Sequence, residues 1–101
     1  MTTQEFEQHV QDHAVHDLND AYCVVAINEE AGEIAGWYKK FVLRGNITGK
    51  HQESDLKGEL GDVLYYLTRL ASNHNWTLSE IMNYNKTKLD ERVSKQMRQI
   101  V

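Results

Sequence analysis

With 101 residues the chain has room for one domain and a modest core, near the size at which pairing with another copy adds burial that it needs. A net charge of -4 argues against a dedicated nucleic-acid binder, a single cysteine rules out an internal disulfide, and no apolar run is long enough to cross a bilayer. The expectation is a single domain spanning 1–101, in a reducing cytoplasmic setting, without a nucleic-acid or membrane partner. The absence of proline and the many Leu, Glu, Lys, Gln and Ala residues predict an all-α chain.

The first predicted helix runs from residue 1 to about 17. It carries Phe6, Val10, Ala14 and Val15, with Thr2 or Thr3 as cap and Glu5 in the first turn. His9, His13 and His16 share a face. No carboxylate or cysteine motif completes a metal set there, so they read as a solvated or subunit-facing stripe. After a break at 17–20, a second helix reaches about Leu43, with Ile27, Ala31, Ile34, Tyr38 and Phe41 as its predicted core stripe. Glu30, Glu33 and Trp37 form the adjoining stripe. Trp37, one turn from the acids, suits either the core or a platform for a stacked base. Lys39, Lys40 and Arg44 gather at the helix end, where they complement the macrodipole.

Residues 44–49, Arg-Gly-Asn-Ile-Thr-Gly, read as a break. The third helix follows from about Glu53 to Asn73, with Leu56, Leu60, Val63, Leu67 and Leu70 at spacings of three and four. Glu59 and Asp62 stand three apart, flanked by Gly58 and Gly61. Each interior glycine costs up to about 1 kcal/mol against alanine, which predicts that something must approach this backbone closely. Thr77-x-x-Glu80 is a capping box for the fourth helix. That helix places Asn85, Lys88 and Arg92 on one side, and Val93 to Val101 either extend it or fray.

The second and third helices repeat one design: Glu30-x-x-Glu33 and Glu59-x-x-Asp62, with Asn46 midway in sequence between Glu30 and Asp62. A chain that folds back there as an antiparallel hairpin brings both pairs to one height. Four carboxylates converging on one gap push each other's pKa upward and need cations to stay ionised. Oxygen-only ligands favour Mg²⁺ or Mn²⁺. The predicted metal ligands are therefore Glu30, Glu33, Glu59 and Asp62.

These residues and their order resemble the MazG-like nucleoside triphosphate pyrophosphohydrolases of the all-α NTP pyrophosphatase superfamily. The matching blocks are Glu29-Glu30-Ala31-Gly32-Glu33-Ile34, Glu59-Leu60-Gly61-Asp62-Val63-Leu64 and Asn85-x-x-Lys88-Leu89-x-x-Arg92, covering about residues 18–93. The resemblance implies an antiparallel four-helix bundle-like domain, a homo-oligomer (dimer or tetramer), and Mg²⁺-dependent hydrolysis of (deoxy)nucleoside triphosphates to monophosphate and pyrophosphate, a nucleotide-pool house-cleaning role. It also implies Asn85, Lys88 and Arg92 as phosphate contacts. The general base is Glu33 or Glu29, and the sequence does not choose between them. A di-iron centre, which would need Glu-x-x-His pairs, finds no such pair in this sequence. A non-catalytic helical interaction module on the same fold is the remaining alternative.

Overall fold

The computed structural model describes residues 1–45 and 51–100; the side chains of 51–53 and 100 lie outside the description, as do residues 46–49 of the predicted break. Among the described residues there are four α-helices and no strand: α1 (Thr3–Asp12), α2 (Asp20–Tyr38), α3 (His51–Asn73) and α4 (Leu78–Ile100), with a π-helical segment, Lys39–Leu43, prolonging α2. Among the described residues no helix is long and apolar enough to cross a membrane.

Local chemistry sets most of the ends. Thr2 caps α1 in a reciprocal box with Glu5, the Glu5 amide donating to Thr2 Oγ1 at 3.1 Å and the Thr2 amide to Glu5 Oε1 at 2.9 Å. α1 stops at Asp12, short of the predicted limit near 17, because Ala14 to Asn19 serve as a connector held from α3. Asn19 caps α2 by accepting from the Tyr22 amide at 2.8 Å. α3 closes in a Schellman-type corner. Asn75 takes a left-handed φ of 59°, which asparagine tolerates better than most residues, while the Trp76 amide donates to Ala71 O and the Asn75 amide to Ser72 O, both at 3.0 Å. The Thr77–Glu80 box then starts α4, which continues to Ile100 rather than fraying at Val93.

The principal pair is α2 against α3, and its seam differs from the predicted core stripes. Facing α3 are Cys23 and Ala26, both buried, and Ile27, Glu30, Ile34, Trp37 and Phe41, all half-buried; Ala31 and Tyr38 are exposed. From α3 the seam takes Leu56, Glu59, Val63, Tyr66 and Leu70, leaving Leu60 and Leu67 half out in solvent. Two of the acids therefore occupy seam positions that apolar side chains ordinarily hold. The physical reason for the difference is that α2 is apolar nearly all round, so its hydrophobic pattern does not single out one face.

α3 also grips the connector between α1 and α2. The buried Arg69 donates through Nη2 to His16 O at 2.6 Å and through Nη1 to the Tyr65 hydroxyl at 3.2 Å. Asn73 Nδ2 donates to Leu18 O at 2.7 Å, and His74 Nε2 lies 2.7 Å from Asp20 Oδ2 with its ring stacked on Trp76. α4 packs mainly on α1 and has little contact with α2 or α3.

Candidate metal centre

Because Glu30, Glu59 and Asp62 face one gap between α2 and α3, one oxygen from each lies within 4.8 Å of the other two. Glu30 and Glu59 are half-buried and Asp62 is exposed, so the cluster opens to solvent on one side. Loss of hydration raises the Glu30 carboxyl above its ordinary value, and the charges of Asp62, Glu29, Glu59 and Glu33 raise it further. Glu59 is raised in the same way, first by desolvation and then by Glu33, Asp62 and Asp55. Three hard oxygen donors that repel each other when ionised, at a distance one ion can span, fit a small divalent cation. The residues present thus suit Mg²⁺ or Mn²⁺ on their chemistry.

Glu33 stands outside that trio but lines the same groove, a volume of about 500 Å³ bounded also by Gly36, Trp37, Lys40, Phe41, Asp55, Gly58, Glu59 and Asp62. Glu29 is exposed beside Glu30 and does not line it. The half-buried Trp37 packs against Phe41 with ring centroids 5.6 Å apart, and the Lys40 ammonium rests 5.2 Å from the Phe41 ring. One wall is thus aromatic and cationic, the other acidic.

Asn85, Lys88 and Arg92 are elsewhere in the chain. All three are exposed on α4, and none lines the groove. Asn85 and Lys88 instead border a shallow depression with Trp76, Ile81 and Tyr84.

The sequence reading passed over Asp55, although it stands four residues before Glu59 and seven before Asp62, on the same stripe. It likewise passed over Tyr66, one turn beyond Asp62, whose hydroxyl is raised by burial and then by Tyr22, Glu30, Tyr65 and Glu29. The predicted tight approach at Gly58 and Gly61 is not made among the described residues: a Cβ built at either would meet none of them within 4 Å. Gly58 borders the groove, whereas Gly61 does not. His9 and His13 lie against each other with centroids 4.2 Å apart on the exposed side of α1, and among the described residues no metal-ligating group joins them.

Four helices with three carboxylates converging from two of them define an all-α domain with an acidic cluster between α2 and α3. The comparisons narrow the class. The model of the MazG nucleotide pyrophosphohydrolase domain matches residues 5–97, nearly the whole chain, and the chain belongs to that family. The Gene 37 protein of Mycobacterium phage L5 is similar, 40% identical over 75 residues, a match spanning 71% of this chain and 64% of that protein. No solved structure matches.

Proposed function

We propose that the chain hydrolyses (deoxy)nucleoside triphosphates, in a reaction that depends on Mg²⁺ or Mn²⁺, to the monophosphate and pyrophosphate. The observation that carries the proposal is the convergence of Glu30, Glu59 and Asp62 within 4.8 Å beside an open groove with an aromatic wall. Family membership supports the nucleotide substrate, and the donor chemistry supports the cation.

A divalent cation held there would supply positive charge to the triphosphate oxygens and acidify a water. The chain's own groups do the rest. Glu30, Glu59 and Asp62 would hold the cation at the groove's edge. That Glu33 lines the groove without belonging to the trio supports its carboxylate as the group that takes the proton from the attacking water. That water's oxygen bonds to the α-phosphorus as the bond from this phosphorus to the α,β-bridging oxygen breaks, and pyrophosphate departs. Trp37, backed by Phe41, offers a face to the base, and Lys40 adds a positive charge at the groove's edge.

The test is a panel of canonical and modified nucleoside triphosphates with and without Mg²⁺, scored for pyrophosphate against orthophosphate. Pyrophosphate release that EDTA abolishes supports the proposal. If no triphosphate is turned over while a partner protein is bound, the domain is a helical interaction module. Within an active enzyme, Glu33→Gln should lower turnover about 10²–10⁴-fold without rescue by added Mg²⁺, as loss of a general base does. Glu29→Gln should lose far less. Asp62→Asn should lose metal affinity and turnover together, and added Mg²⁺ should recover part of both. The reverse ranking of Glu33 and Glu29 would move the base to Glu29.

A further inference from the structure

α1 carries a second group of metal-ligating side chains, none of which lines the groove. His9, His13 and His16 follow at spacings of four and three, one face of a continuous helix. The helix does not continue. α1 ends at Asp12 with His13 as its C-cap, and the connector carries His16 to where its carbonyl accepts from Arg69 at 2.6 Å. The early end of α1 thus divides the three histidines into a pair and an outsider. The pair is close: the His9 and His13 rings have centroids 4.2 Å apart, and both residues are exposed. Among the described residues no third imidazole, thiolate or carboxylate joins them in a set within 4.8 Å.

One hydrogen bond prepares this pair for a metal. His13 Nδ1 stands 2.8 Å from the carbonyl oxygen of His9. A carbonyl only accepts, so this nitrogen carries the ring proton, and in the neutral imidazole the lone pair is left on Nε2. A ring N–H held by a backbone carbonyl is how metal sites fix a ligating histidine's orientation and raise its basicity. The His9 ring neighbours those of Phe6 and His13, and among the described residues neither of its nitrogens is hydrogen-bonded. The nearby acids are engaged: Asp12 Oδ1 accepts from Gln8 Nε2 at 2.8 Å, and Glu5 Oε1 from the Thr2 amide at 2.9 Å. At metal–nitrogen bonds of about 2.0–2.1 Å, two ligating nitrogens on one ion stand about 3 Å apart. Facing rings on exposed side chains reach that separation by small torsional changes within their staggered wells.

We infer that His9 and His13 chelate one transition-metal ion (Zn²⁺, Ni²⁺ or Cu²⁺) across the last turn of α1, with water in its remaining positions. The site differs from the carboxylate cluster in place and in chemistry. Imidazole nitrogen suits these ions, whereas Mg²⁺ takes oxygen ligands, so the two sites sort their metals. Within the group, Cu²⁺ binds most tightly. Because one ligand lies inside the helix and the other is its C-cap, the ion staples the end of α1 where the connector to α2 begins. The inference stands independently of the hydrolase reading.

Calorimetric titration of the full chain with Ni²⁺, in excess Mg²⁺ to occupy oxygen ligands, tests it. One ion per chain is expected to bind. Loss of an outer partner of a ligand already weakens metal binding by about 10–100-fold, so His9→Gln and His13→Gln, each removing one of two ligands, should weaken it at least as much. His16→Gln and Asp62→Asn should titrate as wild type. No binding by wild type, unchanged affinity in either ligand variant, or an equal loss in His16→Gln overturns the pair. A heat that disappears in Asp62→Asn belongs to the groove and overturns it too. Nitrogen-15 NMR of the imidazoles separates ligation from damage to α1. Before metal is added, His13 should show its proton on Nδ1. Zn²⁺ should then shift His13 Nε2 and one ring nitrogen of His9, while the metal-free variants keep the wild-type amide pattern. Shifts confined to His16 or His74 would assign the ion elsewhere and overturn the site.

Discussion

Glu30 sits where a helical hairpin would ordinarily place an apolar side chain, and the cost shows in its raised proton affinity. A carboxylate whose folded pKa is raised favours folding in its protonated form. Its contribution is therefore full at low pH and is lost as pH rises through the elevated pKa, from the ordinary carboxylate range upward. Glu59 acts in the same direction. Glu5, lowered by its bonds from Thr2, acts in the opposite one, contributing above the ordinary range and fading as pH falls. In EDTA at neutral pH, Glu30→Gln should therefore melt at a higher temperature than wild type, and the gap should close near pH 4. Saturating Mg²⁺ should reverse the order, because an ion at about a hundred times its dissociation constant stabilises wild type by roughly 2.7 kcal/mol. Thermal melts at the two pH values, with and without Mg²⁺, decide this. A melting temperature indifferent to both chelator and Mg²⁺ would remove the metal site. The two acid pairs could be read in advance because carboxylates at a spacing of three identify themselves. Arg69 could not. Its partner is the carbonyl of His16, 53 residues away, and a backbone acceptor leaves no mark in a sequence. Arg69→Met should cost about 1.5–3 kcal/mol in urea unfolding, the loss of charge-assisted bonds from a buried site.

For the helices, end chemistry was legible where one side chain makes the cap, as at Thr2 and Thr77, and less so where tertiary contacts decide, as at Asp12. The seam of α2 was legible only in part: Ile34 and Phe41 of the expected stripe are half-buried, whereas Ala31 and Tyr38 are exposed. With apolar residues on every side, only the position of α3 determines that Ala31 and Tyr38 face out while Glu30 and Trp37 face in. The π-helical segment was equally hidden. Its signature is the 3.0 Å bond from the Arg44 amide to Lys39 O, a matter of backbone phase that residue types do not announce. The glycines of α3 now divide into two kinds. Gly61→Ala should stabilise the protein by about 0.5–1 kcal/mol and leave turnover intact, since a Cβ there meets nothing and does not enter the groove. Gly58→Leu should also favour the helix yet abolish turnover, because its side chain would project into the groove. Equal activity in the two variants would show that the groove is not where substrate lies.

The whole chain is spread wider than its length requires. Its radius of gyration is 17.3 Å, against about 13 Å for a compact domain of about 100 residues. The excess comes from α4, a helix of about 34 Å attached near one end. Cover for such a helix from a second copy predicts a melting temperature that climbs with protein concentration, as it does for any folded state stabilised by association. Calorimetry over a hundredfold range of concentration checks this, and a flat response would mean that the isolated chain is the stable unit. The uncovered side of α4 also has a consequence for handling. Its stripe of Leu89, Val93 and Met97, 44%, 56% and 61% exposed, gives the isolated chain a greasy edge that salting-out anions strengthen, so ammonium sulfate should drive it out of solution sooner than a variant with glutamine at those positions.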